Sequence, residues 1–254
     1  MSLDKNSLQY GSSQDLDKAL TALFAQLGGF SQDHVASILT SVRSYVSELT
    51  LWNPKLGLVE TLDDVIPRHV LDCLVPISVF RVLLEQVESQ GNPRAQIKIA
   101  DLGSGAGLPG LLLSLVLSQY SWDLVESMGR RITFLENARL MVAGATFRVV
   151  PKPFQQLPPQ SYELITNRAF QPLTPDTFQV QTNLLKPGGF AAWYKGRIDS
   201  IEQEANQLNL PLTYVESQDG RWIDQISSDG LVVLPYLVPG MDAQRHLVLW
   251  RKWR

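Results

Sequence analysis

Apolar residues recur at helical spacing over the first third of the chain, then give way to short, nearly continuous apolar runs. Leu16, Leu20, Leu23, Phe24 and Leu27 mark one helix, which Gly28-Gly29 closes. Ser31 stands as N-cap of a second, with a stripe of Val35, Ile38, Leu39, Val42, Val46 and Leu49. Trp52-Asn53-Pro54 ends it, because a residue before proline leaves the helical region. Thr61, with Asp64 three positions on, gives a capping-box-like start to a third helix through Val65, Ile66, His69, Val70 and Leu71. Another apolar stretch covers Leu74 to Val87, and Gln90-Gly91-Asn92-Pro93 is a turn. Residues 1–14, rich in Ser, Gln and Gly, read as a flexible tail.

Beyond this point strands and helices alternate. Strands are expected at Ile97–Ala100, Trp122–Val125, Thr146–Val150, Tyr162–Thr166 and Phe190–Tyr194. Two or three more lie within Leu212–Val215, Leu231–Leu237 and His246–Trp250. Helices are expected from the glycine-rich turn to about Ser118, and over Arg130–Met141, Asp176–Leu185 and Ile198–Leu208, with a turn at Lys186–Gly189. The alternation implies an α/β fold whose mainly parallel sheet carries helices on both faces. It divides the chain into a helical region, 15–89, packed on a sheet domain, 95–254. Ligands of such sheets bind at the carboxyl ends of the strands, near the topological switch point. Charged residues at strand ends therefore matter most.

Composition narrows the class. The chain has 254 residues, of which 44% are hydrophobic and 19% charged, enough to bury a large core. No apolar run is long enough to cross a bilayer, and the polar start has no apolar signal core, so a cytoplasmic protein is expected, with no membrane partner. Cys73 is the single cysteine, and His34, His69 and His246 lie far apart, so no metal site is expected. The net charge of −3 argues against a protein that is basic everywhere but leaves room for a local basic patch.

The candidate chemistry begins at Asp101-Leu102-Gly103-Ser104-Gly105-Ala106-Gly107-Leu108-Pro109-Gly110. Glycines after a strand permit positive φ and close ligand approach, and the next helix offers free N–H groups. The spacing departs from the dinucleotide GxGxxG, since Leu108 stands where the third glycine would be, and there is no GK[ST]. Taken alone, the turn is either a ligand cradle or a plain bend. Its form, D-x-G-x-G-x-G, resembles the first motif of class I methyltransferases, which use S-adenosylmethionine. In them the turn wraps the methionine part, and an acid ending the second strand holds the ribose. Glu126 occupies that place.

A longer set of elements is similar to the RsmG (GidB) family of small-subunit ribosomal RNA guanine-N7 methyltransferases. The turn resembles that family's GxGxGxPG loop. Trp52-Asn53 with Leu56 and Leu58 resembles WNxxxNL, with Gly57 where the family usually has Asn. Arg68-His69-Val70-Leu71-Asp72-Cys73 resembles RHxLDS with Cys for Ser, and Glu126 to Leu135 resembles DSxxKRxxFL with Glu for Asp. Asn167-Arg168-Ala169-Phe170 resembles SRAF, Lys195-Gly196 a KG pair, and Arg245 to Val248 a terminal RHLV. The resemblance covers roughly residues 40–250.

It implies a class I methyltransferase fold, Rossmann-like, with a mainly parallel seven-stranded sheet and an N-terminal helical extension. It also implies transfer of a methyl group from S-adenosylmethionine, leaving S-adenosylhomocysteine, to guanine N7 in 16S ribosomal RNA or a ribosomal particle. A monomer is expected. Cofactor contacts would come from Asp101, Gly103, Ser104, Gly105, Gly107, Leu108, Glu126, Ser127, Phe154, Gln155 and Arg168. Arg168 would also orient the substrate. RNA would meet Arg68, Arg130, Arg131, Lys195, Arg197 and Arg245. Guanine N7 holds a free lone pair, so no general base is required, and none of the cysteine nucleophile or (D/N)PP(Y/F) motifs is present. Blander readings stand beside these. Arg68, His69 and Asp72 could form a helix-surface ion pair, His69 a structural group, Arg131 a solvated side chain, and Phe170 core packing. Trp250 to Arg254 reads as a frayed terminus. Two rival functions remain open: a methyltransferase for a small molecule or protein, and a non-catalytic RNA- or nucleotide-binding module. The segment at about 217–240 has no assigned role.

Overall fold

The computed structural model describes residues 13–168, 171–215 and 221–253. The expected tail up to residue 12, Ala169-Phe170 of the SRAF-like element, the start of the 217–240 segment and Arg254 lie outside the described residues.

Helices α1 (Ser13–Leu27) and α2 (Gln32–Leu56) open the described chain. Ser13 and Gln14, assigned to the tail from sequence, form the first turn of α1. Ser31 caps α2 as expected, its Oγ accepting from the His34 N–H at 3.2 Å. The expected end at Trp52–Pro54 is corrected: α2 runs through Pro54 and stops at Gly57, whose φ of 58° lets its N–H reach the Asn53 carbonyl. Proline in a last turn removes one backbone donor, which a helix end tolerates.

The expected third helix also changes. Thr61 caps no helix; its hydroxyl accepts from Asp63 N–H in a tight turn, and Asp64 takes a φ of 53°. Winding starts later, as a π-helical segment Ile66–Leu71 that passes into α3 (Asp72–Leu74) and then α4 (Ile77–Ser89). The wider winding presents Arg68, His69 and Asp72 together toward the sheet edge.

The remaining elements are β1 (Lys98–Leu102), α5 (Gly110–Val116), β2 (Ser121–Glu126), α6 (Gly129–Met141), β3 (Phe147–Pro151), β4 (Tyr162–Arg168), α7 (Pro175–Asn183), β5 (Leu185–Lys195), α8 (Ile198–Leu208), β6 (Leu212–Tyr214), β7 (Leu231–Tyr236) and β8 (Arg245–Arg251). They form an α/β fold around one sheet of order β3-β2-β1-β4-β5-β8-β7-β6. Among the described residues the sheet has eight strands rather than the seven the resemblance implies: all three late runs form strands, Leu212–Tyr214 as a parallel edge beside Leu231–Val233. Among the described strands only β8 runs antiparallel, between β5 and β7. Lys186–Gly189, expected as a turn, instead lies within β5, where the register with β4 shifts. Gly189 is required there, since a Cβ would stand 2.8 Å from the Glu163 carbonyl.

One apolar cluster runs from α1 and α2 through α4, α5 and α6 to one sheet face; another lies under α7 and α8. Three buried tyrosines fasten the helical region to the sheet edge. Tyr45 OH donates to Ala106 O in the glycine turn at 2.9 Å, Tyr194 OH to Cys73 O at 2.8 Å, and Tyr236 OH to Asp72 Oδ1 at 3.0 Å.

Candidate active site

β1 leads into a turn held open by positive φ at Gly103 (70°), Gly105 (57°) and Gly107 (84°). The N–H groups of Gly103 and Ser104 both donate to Val125 O of β2, and Ser104 Oγ donates to Asp101 O. Beneath the turn Asp101 is fully buried, its Oδ2 accepting from the Gly110 N–H at 2.9 Å. This bond ties the start of α5 to the end of β1. A Cβ on residue 110 would stand 2.5 Å from that of Asp101, so only glycine admits the approach. Burial pushes the Asp101 carboxyl up to about 7, and its Oδ1 meets no donor among the described residues.

Glu126 ends β2, and its carboxylate is turned onto the backbone. Oε2 accepts from Gly105 N–H at 3.0 Å, while Oε1 accepts from Ser127 N–H at 2.7 Å and Met128 N–H at 2.9 Å. Three bonds leave acceptor capacity on Oε2, since a carboxylate offers about four lone-pair sites.

The densest polar constellation surrounds Asp72. Although the residue is 1% exposed, its Oδ2 accepts from Arg168 Nη1 at 2.6 Å and Arg245 Nη2 at 3.1 Å. Oδ1 accepts from Arg245 Nε at 3.2 Å as well as from Tyr236. Burial pushes this carboxyl up, but the bonds from Arg245 and the charge of Arg168 outweigh it and hold it below the ordinary carboxylate value. Arg168 Nη1 also donates to Arg68 O at 2.9 Å, and Nη2 lies 3.1 Å from His69 Nδ1. A guanidinium can only donate, so Nδ1 is the bare nitrogen and Nε2–H donates to Thr61 O at 2.8 Å. His69 is thus neutral, and burial, helped by the charge of Arg168, holds its pKa below the usual value. The antiparallel course of β8 brings Arg245 to this edge, where β4 and β7 end.

Turn and constellation enclose a cavity of about 620 Å³ at the carboxyl ends of β1 and β4. Gly103, Ser104, Gly105 and Leu108 form one wall; Arg68, Arg131, Arg168, Lys195 and Arg245 supply cations, and Glu60, Asp72 and Glu204 carboxylates. A chain of net charge −3 thus gathers an excess of positive charge at one opening.

A family model described as rRNA small subunit methyltransferase G (GidB) matches residues 38–222. The chain belongs to this family. The ribosomal RNA small subunit methyltransferase G of Treponema pallidum is 35% identical over 213 residues, 82% of either chain. Its namesake from Borreliella burgdorferi is 28% identical over 182 residues, covering 70% of this chain and 81% of the relative. Among solved structures, the METTL16 MTase domain aligns with a TM-score of 0.50 at 11% identity, over 100% of this chain and 97% of that one, a likeness of fold.

The cavity gathers Gly103, Ser104, Gly105, Leu108, Arg68, Arg131, Arg168, Lys195 and Arg245 of the residues singled out from sequence. Others stand elsewhere. Asp101 and Gly107 serve the turn from below; a Cβ on 107 would press on Leu111 at 3.0 Å. Glu126 and Ser127 are not among the lining residues but adjoin them, the Glu126 carboxylate accepting from the N–H groups of both Gly105 and Ser127. Phe154 is buried in the cluster with Ala100, Leu102 and Val125, and Gln155 beside it is exposed, so neither lines the cavity. Arg130 faces solvent, and Arg197 turns to Asp199. The cations expected to meet RNA are also partly paired within the chain. Lys195 pairs with Glu204 at 2.6 Å, and Arg168 and Arg245 share Asp72, leaving Arg68 and Arg131 with looser partners at 3.7 and 3.8 Å. Asp72, Tyr236 and Asn167 received no site role from sequence. The available signal for Asp72 was an acid inside the apolar run Val70-Leu71-Asp72-Cys73-Leu74, which must find a partner once buried.

Proposed function

We propose that this chain transfers a methyl group from S-adenosylmethionine to N7 of a guanine in 16S ribosomal RNA. The observation that carries the reading is a cavity walled on one side by the glycine turn and on the other by the arginines around Asp72. The turn suits the cofactor: a Cβ on Gly105 would meet nothing nearer than Gly103 O at 3.8 Å, so only the glycine keeps that space free. Gly103, Ser104, Gly105 and Leu108 would hold its amino-acid part, and Glu126 would accept from the ribose through Oε2. When bound, S-adenosylmethionine supplies the electrophilic methyl and a neutral thioether leaving group. The protein's part is orientation. Neutral His69 and saturated Asp72 offer no free base, and alkylation of a lone pair requires none. Arg68, Arg131 and Arg245 would receive RNA phosphates, and Arg168 a phosphate or guanine O6, leaving N7 bare.

The test uses purified protein, methyl-labelled S-adenosylmethionine, and either small-subunit particles or free 16S RNA from cells lacking this enzyme. Label confined to one guanine, with cleavage chemistry specific for 7-methylguanosine, supports the reading. Absence of transfer to either RNA form overturns it.

A further inference from the structure

A buried relay determines which end of the Asn167 amide faces the cavity. Asn167 of β4 and Trp193 of β5 are partners in register, and the Gln181 side chain from α7 joins them. The Trp193 indole Nε1–H can only donate, so the Gln181 atom 2.8 Å away is the carbonyl Oε1. That same Oε1 lies 2.9 Å from the Asn167 amide, so the atom facing it there is Nδ2. The free end of Asn167 is therefore Oδ1. No donor reaches Oδ1 among the described residues, and it is not among the sealed orphan atoms, as Gln181 Nε2 is. Asn167 is one of the residues lining the cavity, although it is only 3% exposed, so the unbonded Oδ1 belongs to a cavity-wall residue.

We propose that Asn167 Oδ1 is a specificity-determining contact that accepts from the N1–H and 2-amino edge of the target guanine. The proposal rests on the function proposed above. A desolvated acceptor without a donor selects a ligand that brings an N–H. Guanine carries its N1–H and 2-amino group on the side of the ring away from N7. An acceptor gripping that edge anchors the base and leaves N7 untouched, whereas a donor on N7 would compete with methylation. The rival ligand is the ammonium of the cofactor. It fits less well, because an ammonium wants three acceptors around it and Arg168, next in the chain, repels a second cation. Trp193 and Gln181 are positioning residues: they hold the oxygen, rather than the NH2, toward the base.

The test measures methylation of small-subunit particles with GMP, IMP and AMP as competing ligands, and cofactor affinity by calorimetry. In the wild type GMP competes about tenfold better than AMP, whose N1 is an acceptor, and IMP falls between because it keeps N1–H alone. Asn167→Ala reduces the GMP preference to within about twofold and kcat/KM for particles by about tenfold or more, with cofactor Kd unchanged. Gln181→Glu keeps an acceptor between Trp193 and Asn167 and retains the preference; Gln181→Leu frees the amide and loses it. Equal competition by GMP and AMP in the wild type, which needs no variant, overturns the proposal. So does an Asn167→Ala protein that binds the cofactor poorly yet turns over normally when saturated with it; the acceptor then serves the ammonium. A wild type that methylates neither particles nor free 16S RNA overturns the functional reading itself, whereas methylation of the accepted RNA form untouched by Asn167→Ala overturns only the role of Asn167.

Discussion

Asp72 and Arg168 meet at 2.6 Å across 96 positions of sequence, one on the first turn of α3 and the other at the last position of β4. This pair joins the helical region to the sheet edge. It also spends the Arg168 Nη1 donors on Asp72 and the Arg68 carbonyl, and part of Nη2 on His69, so the guanidinium is held in one orientation before any ligand arrives.

Asp72→Ala removes the shared counter-charge of two guanidinium groups and is expected to cost about 3–5 kcal/mol of stability by urea denaturation. Arg168→Ala leaves Asp72 with Arg245 and Tyr236, so its stability loss should be smaller, about 1–3 kcal/mol. Its loss of methyl transfer should be about a hundredfold or more. Equal loss of both in Arg168→Ala would mark that arginine as structural.

Two buried carboxyls should respond to pH with opposite sign. Asp101 is raised to about 7, so its neutral form is the stable one; its contribution is full below its unfolded value of 3.8 and is lost as pH rises through 7. The loss is on the order of 4 kcal/mol. Asp72 is depressed, so its contribution is full above 3.8 and is lost as pH falls through its lower native value. Denaturation midpoints of Asp101→Asn between pH 4 and 7 should be flatter than those of the wild type. Identical slopes would show that Asp101 is ionised throughout.

His69 should titrate below 6.5, since protonation would displace the Arg168 donor from Nδ1 and set two cations together. Its share of stability is present above 6.5 and is lost as pH falls into the range between that value and its native pKa. Histidine resonances followed by NMR check this directly, and a midpoint at or above 6.5 would contradict the neutral tautomer.

Gly103→Asp places a side chain on a residue with φ of 70° in the cavity wall. A strain cost of about 1–2 kcal/mol is expected, with loss of S-adenosylmethionine binding by about a hundredfold or more in calorimetry. Unchanged affinity in a folded variant would remove the turn from the cofactor site.

Tyr45→Phe deletes the hydroxyl that donates to Ala106 O in the glycine turn. The stranded carbonyl should cost about 1–3 kcal/mol in thermal or urea unfolding. Because the bond restrains the turn from α2, cofactor affinity should fall several-fold as well. A variant weakened in stability alone would mean that the turn keeps its shape without α2.

How far the site could be read from sequence depended on the range of each interaction. The glycine turn was legible because its geometry is local: positive φ at Gly103, Gly105 and Gly107 requires only neighbours in the chain. Glu126 was legible as the tip of the second strand, but not its inward turn onto Gly105 N–H, which depends on how two loops meet. Phe154 was placed by analogy of position; that its ring packs with Ala100, Leu102 and Val125 depends on strands no local pattern brings together. Pro54 misled the reading of α2 because the cost of one missing donor is small beside the burial of a helix face. The run at Leu212–Val215 was legible as a late strand, but not its place as a parallel edge beside β7, because pairing across the sheet leaves no local period.

The order of residues therefore determined the features that arise from short-range sterics and hydrophobic period: an α/β chain with helices first, a glycine turn after β1, and charges waiting at strand ends. Tertiary structure alone decided which of those charges meet. An antiparallel β8 carried Arg245 to the edge where β4 and β7 finish, and a π-helical segment delivered Asp72 between Arg245 and Arg168. A buried carboxylate is stable only beside its counter-charges, and no local pattern says which distant strand will bring them.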